Sequence, residues 1–197
     1  MQKVFKEVNS LDKKCYEQYG LSEDILMEHA AISMLNFIEN KFKENSKILI
    51  VCGSGNNGAD GITLARLHQY KYKVTLYIPF DVKSDMAKLQ LNRTNLIGVE
   101  IIKKYSLAEN YYSLIVDCLF GSGLSRPLNE QSIKIIKQLN KIDCYKLSCD
   151  IPSGINIYGQ IVPICFKANT TITMGALKKS LFTDSVKEYV GNIKVAN

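Results

Sequence analysis

The sequence predicts an α/β protein built on a doubly wound, mostly parallel sheet with an N-terminal helical extension. Short apolar runs alternate with segments of helical periodicity along most of the 197 residues, which is typical of strands joined by crossover helices. Runs such as KILIVC are continuously apolar, as expected of parallel strands covered on both faces. Three of these runs end in turns rich in glycine and polar residues.

The helical extension is predicted from the segment SEDILMEHAAISMLNFIENKF. Ser22 is the candidate N-cap, and acidic residues follow in the first turn, where they favour a helix start. Helical spacing predicts a single apolar face that contains Leu26, Ala30, Met34, Phe37 and Ile38.

The alternating part of the chain follows this helix. Strands are predicted at 47–52, 73–79, the short run VEII, about 112–120, 145–151, 170–174 and 192–196. Helices are predicted at about 58–70, from the cap Ser84 to the stop signal Gly98, and in NEQSIKIIKQLNK, capped by Asn129. No proline-rich linker divides the chain, so we expect one domain over residues 1–197.

Composition is that of an ordinary globular protein, with 46% hydrophobic and 22% charged residues and a formal net charge of +6. No apolar run approaches the roughly 20 residues of a membrane span. The six cysteines form no C-x-x-C pair, which disfavours structural zinc and indicates a reducing, cytoplasmic compartment. Cys52, Cys118 and Cys149 lie in apolar runs and are expected to be buried. The basic surplus indicates either a solvated surface or attraction of anionic ligands, phosphates rather than long nucleic acids.

Three turns are expected to meet at one edge of the sheet. They cover residues 53–61, 121–127 and 150–154, and each follows a predicted strand. In open parallel sheets, ligands bind outside the carboxyl ends of the strands. The convergence of three polar turns there predicts a binding site.

The first turn fits G-x-G-x-x-G at Gly53, Gly55 and Gly58. The pattern indicates either a phosphate cradle or only a tight strand-to-helix turn. A nicotinamide dehydrogenase would place an acid at the end of the second strand, but Asp81 comes late, beyond a proline. The absence of that acid disfavours a dehydrogenase and also weakens the hypothesis of a methyltransferase.

The same turn carries side chains that the glycine pattern does not need, namely Asn56, Asn57 and Asp60. Asn57 and Asp60 are three apart at a helix start, so they are expected to share a face. One of the three residues is expected to cap the helix.

Two aspartates end apolar strands. Asp117 either pairs with a hard cation, together with the neutral oxygens of Ser153 and Asn57, or accepts backbone N–H bonds from the turn Gly121–Gly123. Asp150 is suited to proton transfer, or else is a turn-forming residue before proline.

Other candidates are weaker. His29 and His68 fall in helical patterns and are expected to be structural or on the surface, and no G-x-S-x-G motif is present. Lys178 and Lys179 are expected to be a solvated pair, although lysines can meet phosphates.

Four motifs occur in order: GSGNNGADG, VDCLFGSGLSRPL, CDIPSGINIYG and KANTTITMGALKKSLF, after an opening LDKKCYEQYGLSEDILMEHA. Together they resemble the NAD(P)H-hydrate epimerase family, the YjeF N-terminal domain, over nearly the whole chain. The resemblance implies a Rossmann-like homodimer that interconverts the R and S epimers of NADHX and NADPHX. A separate ADP- or ATP-dependent dehydratase, specific for S, then restores the cofactor.

The resemblance also implies roles for residues. The hydrate would be bound by Asp150 and by two stretches, Asn56, Asn57, Gly58, Ala59, Asp60 and Gly121, Ser122, Gly123, Leu124, Ser125, Arg126, Pro127. A monovalent cation such as K⁺ would be held by Asn57, Asp117 and Ser153, one per subunit. Asp150 is the expected general acid/base at the hydrated carbon. No membrane or nucleic-acid partner is expected.

The sequence departs from the family pattern at Ala59, where a second glycine is common, and its methyl could narrow the approach to the ligand. The chain ends inside an apparent strand, so both a stand-alone epimerase and the front half of a bifunctional enzyme are open. The rival hypothesis is a non-catalytic nucleotide- or RNA-binding scaffold, as in other YjeF-like domains. Retention of Asp117, Asp150 and Ser153 favours the enzyme.

Overall fold

The computed structural model describes residues 3–104 and 111–196. The strands are β1 (Val4–Phe5), β2 (Lys47–Cys52), β3 (Lys73–Tyr77), β4 (Glu100–Ile102), β5 (Leu114–Cys118), β6 (Tyr145–Cys149), β7 (Thr170–Met174), β8 (Leu177–Lys178) and β9 (Asn192–Ala196). The helices are α1 (Asn9–Tyr19), α2 (Glu23–Glu39), α3 (Asn56–His68), α4 (Asp85–Leu96), α5 (Glu130–Lys141) and α6 (Lys187–Val190), with 3₁₀ turns at Lys179–Leu181 and Asp184–Val186.

Seven strands form one parallel sheet in the order β4-β3-β2-β5-β6-β7-β9. The predicted doubly wound α/β fold is therefore confirmed. The chain runs outward from β2 to β4 on one side and returns to build β5, β6, β7 and β9 on the other, so the order reverses between β2 and β5. Such a switch point opens a crevice at the carboxyl ends of the strands.

The predicted elements are confirmed with small differences at their ends. Helix α3 begins at Asn56, earlier than about 58, so the polar residues of the first turn already belong to the helix. The side chains of Ser22, Ser84 and Asn129 accept bonds from the backbone N–H three residues on, which confirms all three predicted caps. Strand β6 ends at Cys149 rather than 151, because Asp150 adopts a left-handed backbone, φ 66°.

Helix α2 buries a face that only partly matches the predicted one. Met34 and Ile38 are buried as predicted, together with Met27 and Ala31, whereas Leu26 and Ala30 are only partly buried and line a cleft. The prediction assumed one covered face, but α2 packs on the core with one side and borders the cleft with another. The buried set belongs to the largest of three apolar clusters, which lies on one face of the sheet, while the second cluster lies on the other face.

The N-terminal segment contributes a small second sheet. Strand β1 pairs in parallel with β8, with Phe5 opposite Lys178. Helix α1 buries none of its residues, which explains why apolar periodicity gave no separate signal for it. Within the described ranges, no helix is long and apolar enough to cross a membrane.

Candidate active site

A cleft of about 740 Å³ lies at the carboxyl ends of the central strands. The turn after β2, the turn after β5 and Asp150 after β6 all line it, so the predicted convergence of the polar turns is observed. Helices α1 and α2 also line it, with Asp12, Cys15, His29 and Ser33 among their lining residues. The cleft therefore has a sheet wall and a helical wall.

The glycines of the first turn have different roles. A Cβ at Gly53 would lie 1.9 Å from the Leu119 carbonyl oxygen, and one at Gly58 would lie 2.1 Å from the Gly53 carbonyl oxygen. Both positions are thus explained by the close packing of the strand-to-helix turn. A Cβ at Gly55 would meet no atom of the described residues within 4 Å. Gly55 lines the cleft and immediately precedes the first residue of α3. The N-terminus of α3 accordingly offers backbone N–H groups to an anion.

The polar side chains of this turn do not cap the helix, contrary to the expectation for one of them. The N-cap is Gly55, and no side chain bonds to the first turn. Asn56 instead donates to Glu23 of α2. Asn57 and Asp60 both line the cleft, so they do share a face. Burial raises the pKa of Asp60 well above its usual value, and the nearby carboxylates of Asp150 and Glu23 add to the rise.

Asn57 connects the first turn to the second. Its Nδ2 is buried and has no hydrogen-bond partner among the described residues. A Cβ at Gly121 would lie 2.8 Å from Asn57 Oδ1 and 3.0 Å from Asp150 Oδ2. A larger residue at Gly121 would therefore force the side chain of Asn57 or Asp150 to move.

Asp150 is held by neighbours on several elements. Its Oδ2 accepts from Ser122 N at 3.0 Å, and its Oδ1 accepts from Lys178 Nζ at 2.6 Å. The backbone N of Met174 and the hydroxyl of Thr173 lie at 3.3 and 3.4 Å from Oδ1. A left-handed backbone at a non-glycine residue is costly and persists only where surrounding contacts fix it. These bonds fix the carboxylate at the floor of the cleft.

Lys178 is part of this site, and the expectation of a solvated Lys178–Lys179 pair is wrong for it. Lys178 is 1% exposed. Its ammonium also donates to Thr173 Oγ1 at 3.1 Å and to the Met174 carbonyl at 2.7 Å. Lys179 is exposed, as expected. Register places Lys178 in β8 rather than in a surface loop.

Asp117 lies beneath the cleft, fully buried on β5. Ser153 donates to it twice, from its backbone N at 2.8 Å and its hydroxyl at 2.6 Å, and Leu119 N donates at 3.2 Å. Burial raises the pKa of Asp117 to about 6, against these donors. Among the described residues, no lysine, arginine or histidine pairs with Asp117.

The backbone donors to Asp117 differ from those predicted. Backbone N–H groups do reach it, but they come from Leu119 and Ser153 and not from the turn Gly121–Gly123. That turn serves Asp150 instead, through Ser122 N. The neutral donors leave the negative charge of Asp117 without a cation.

The structure brings most of the predicted binding residues to the cleft. Lining residues from the prediction are Asn56, Asn57, Asp60, Gly121, Ser122, Gly123, Leu124, Ser125, Arg126 and Asp150. Gly58, Ala59 and Pro127 are not among the lining residues. Ala59 is 0% exposed and belongs to the apolar core, so its methyl faces away from the ligand approach because α3 turns that position toward the sheet.

Several residues of the cleft were misassigned or missed from the sequence. Lys178 was expected in a solvated pair, although its position just after β7 brings it to the carboxyl edge of the sheet. Asp12 stands in the opening segment LDKKCYEQYG, but nothing in the local pattern placed it against the sheet edge. His29 and Ser33 also line the cleft, which follows from the face that α2 leaves uncovered.

Fold and site together define a Rossmann-like α/β domain with a ligand cleft at the switch point and a buried carboxylate–ammonium pair in that cleft. Residues 23–180 match the family model described as YjeF-related protein N-terminus. The chain belongs to this family.

The names of similar proteins agree with this assignment. The chain is 38% identical to the bifunctional NAD(P)H-hydrate repair enzyme Nnr of Helicobacter pylori over 100% of its own length and 42% of that protein. It is 34% identical to the NAD(P)H-hydrate epimerase of Leuconostoc mesenteroides over 95% of its own length and 86% of that protein. The chain thus spans about two fifths of the bifunctional relatives and most of the epimerases.

A solved structure supports the fold. The crystal structure of yeast ynu0 superposes with a TM-score of 0.78 and 22% identity, over 90% of this chain and 82% of that one. At this identity the likeness concerns the architecture alone.

Proposed function

We propose that this domain is an NAD(P)H-hydrate epimerase, an isomerase that interconverts the R and S epimers of NADHX and NADPHX in nicotinamide cofactor repair. The observation that carries the proposal is the Asp150–Lys178 pair, whose Nζ–Oδ1 distance is 2.6 Å at the floor of the cleft. The similarity to NAD(P)H-hydrate epimerases over most of their length supports the same activity.

Binding of the hydrate would use the two turns around the switch point. The N-terminus of α3 favours the cofactor's phosphates, because its first N–H groups and the helix dipole attract negative charge. Arg126 lines the cleft from the second turn and adds a positive side chain. A Cβ at Gly55 or at Gly123 would meet no atom of the described residues within 4 Å, so the backbone at both positions is open to the ligand.

Asp150 would act as the general acid/base at the hydrated carbon. Epimerisation breaks the C–O bond of the ring hydroxyl, which departs as water with a donated proton, and water then adds to the other face and returns a proton. A positioned carboxyl contributes typically about 10²- to 10⁴-fold to such proton transfers. Lys178 would act as a positioning residue, because its ammonium fixes the Oδ1 edge and directs Oδ2 toward Gly121 and Ser122.

The residues beneath the cleft fit a monovalent cation, for which we propose K⁺. Asp117 is a fully buried carboxylate with neutral donors only, and Asn57 and Ser153 would add neutral amide and hydroxyl oxygens. A buried charge is costly unless it is paired. Bound there by Asn57, Asp117 and Ser153, the cation would supply the missing positive charge and hold the turns after β5 and β6 together.

The remaining expectations belong to this proposal. Residues 1–197 would form one epimerase domain in a cytoplasmic homodimer. Its product would pass to an ADP- or ATP-dependent dehydratase, a link that bifunctional relatives suggest by name.

The test is direct. R-enriched NADPHX is incubated with the purified chain, and the two epimers are separated by chromatography over time. The proposal predicts faster equilibration than in buffer, and unchanged exchange at high protein concentration would refute it. A parallel thermal-shift series with NADP⁺ and with a short RNA separates the enzyme from an RNA-binding scaffold, for which only the RNA would stabilise, in a salt-sensitive way.

A further inference from the structure

The N-terminal arm, residues 3–20, lies outside the part of the chain that matches the family model. It is nevertheless tied to the site, because β1 pairs with β8 and Phe5 is the register partner of Lys178. After β1, Val8 is buried, and α1 then runs along the cleft and contributes Asn9, Leu11, Asp12 and Cys15 to its lining. The arm thus builds the helical wall of the cleft.

Asp12 is the carboxylate that this wall presents. It is partly buried and lines the same cleft as Asp150. Among the described residues, its oxygens have no hydrogen bond or ion pair, because the ammonium of Lys178 is used by Asp150, Thr173 and the Met174 carbonyl. The oxygens of Asp12 are therefore available to a ligand.

The charged and titratable groups around Asp12 come from every neighbouring element. Lys178 and Asp150 act on it from the sheet edge, Glu7 from the arm, Asp60 from α3, and Tyr16 lies on its own helix. Burial raises the pKa of Asp12, Lys178 opposes the rise, and Asp150 and Glu7 add to it. A carboxyl with a raised pKa keeps its proton closer to neutral pH, as a general acid requires.

We propose that Asp12 is a second acid–base residue of the epimerase, which contacts the hydrated ring from the helical wall while Asp150 contacts it from the sheet wall. This inference rests on the proposed function. Inversion at one carbon requires a hydroxyl to depart from one face and water to arrive at the other. The reaction therefore uses one acid and one base, and two carboxyls on different elements of one cleft supply both.

The proton balance closes over one turnover. Asp12 gives its proton to the departing hydroxyl, the C–O bond breaks, and water leaves the first face with the ring nitrogen sharing the positive charge. A water on the second face adds to the carbon and gives a proton to Asp150. In the reverse direction the two carboxyls exchange roles, and solvent restores their protons. Pairs of carboxyls in different environments are a recurring arrangement for such chemistry.

The test compares Asp12→Asn with wild type and with Glu17→Gln, a matched change on the same helix at an exposed carboxylate. We expect kcat for epimer exchange to fall roughly 10²-fold or more in Asp12→Asn and to stay within about twofold in Glu17→Gln. The wild-type rate should decline as Asp12 loses its proton at higher pH, and Asp12→Asn should lack that limb. Asp12→Glu, which keeps the acid, should recover part of the rate.

Several outcomes would overturn the inference. Asp12→Asn with wild-type kcat would remove Asp12 from the reaction, and so would a lower rate with an unchanged pH profile, which indicates a structural role. If Asp12→Asn unfolds at the assay temperature, Asp12→Glu decides, and loss of the pH limb in that folded variant counts against the proposal. A wild-type chain without activity would refute the proposed function itself, whereas an active wild type with an equally active Asp12→Asn refutes only the role of Asp12.

Discussion

Two aspartates lie at the ends of neighbouring strands of the sheet, and they differ in burial and in the charge of their hydrogen-bond partners. Asp117 on β5 is 0% exposed and receives only neutral donors, while Asp150 after β6 is 6% exposed and is ion-paired with Lys178. Asp150 opens into the cleft, whereas Asp117 lies beneath it. In the function we propose, Asp150 has its own counter-ion in Lys178 and carries out the chemistry, while Asp117 takes a cation from solution.

The largest expected effect comes from removing the counter-ion of Asp150. Lys178→Met should lower the free energy of unfolding by roughly 3–5 kcal/mol, because a buried carboxylate is left unpaired. Epimer exchange should fall as well, since the carboxylate loses its positioning. Urea unfolding measures the first effect, and Lys179→Met at the exposed neighbouring lysine is the control.

A double variant sharpens this prediction. Lys178→Met with Asp150→Asn should be more stable than Lys178→Met alone, because no unpaired charge remains. If the losses in free energy of unfolding of the two single variants simply add in the double variant, Lys178 contributes by packing only. Asp150 would then not depend on a counter-ion, and the contrast with Asp117 would fail.

Potassium should act on Asp117 and not on Asp150. At about ten times Kd, KCl should raise Tm by roughly 3–5 °C over choline chloride of equal ionic strength. Asp117→Asn should abolish the difference, and Asp143→Asn, at an exposed aspartate, should preserve it. Equal Tm values in the two salts for wild type would count against the cation.

The pH dependence of that potassium effect follows from the pKa of Asp117, which is raised to about 6. A carboxyl whose folded pKa is raised stabilises the fold when protonated, below its unfolded pKa near about 4, and loses this contribution as pH rises through about 6. Only the ionised carboxylate attracts the cation. Potassium should therefore stabilise the fold at about pH 7.5, where Asp117 is ionised, and have little effect at about pH 5, where it is protonated. A potassium effect of equal size at both pH values would contradict the assignment.

His68 makes the Asp117→Asn comparison necessary in this experiment. Burial lowers the pKa of His68 to about 4, so its stabilising contribution is present above its unfolded pKa and is lost as pH falls through the folded one. The two groups act with opposite sign in the same window. The difference between wild type and Asp117→Asn isolates the carboxyl.

The smallest effect is expected at Ala59, which belongs to neither aspartate. Ala59→Gly should leave epimer exchange within about twofold of wild type and cost roughly 0.5–1 kcal/mol of stability, because the helix loses an alanine. A large gain in rate or affinity would show that the methyl narrows the cleft after all, although it lies in the core.

Local patterns were enough to predict much of the fold and part of the site. Continuous apolar strands and the caps Ser22, Ser84 and Asn129 gave the sheet and its helices, since each signal lies within a few residues. Parallel strand order then brought the three turns to one edge. Asn57, Asp60 and Asp150 reach the cleft because each lies at or just beyond a strand end.

The remaining features depend on contacts between segments distant in sequence. The Asp150–Lys178 pair spans 28 residues and requires the turn that follows β7. Asp12 reaches the cleft only because β1 pairs with β8 across most of the chain. Helix α1 buries none of its residues, so no apolar periodicity marks it in the sequence. The covered face of α2 was predicted only in part, at Met34 and Ile38, because the helix borders both the core and the cleft.

The central claim is that Asp150 carries epimerisation of the hydrated cofactor. The most direct measurement is the rate at which R-enriched NADPHX equilibrates, by chromatography, with wild type and with Asp150→Asn in the same potassium buffer. We predict a rate at least about 10²-fold lower for a folded Asp150→Asn. Equal rates in the two proteins would contradict the account.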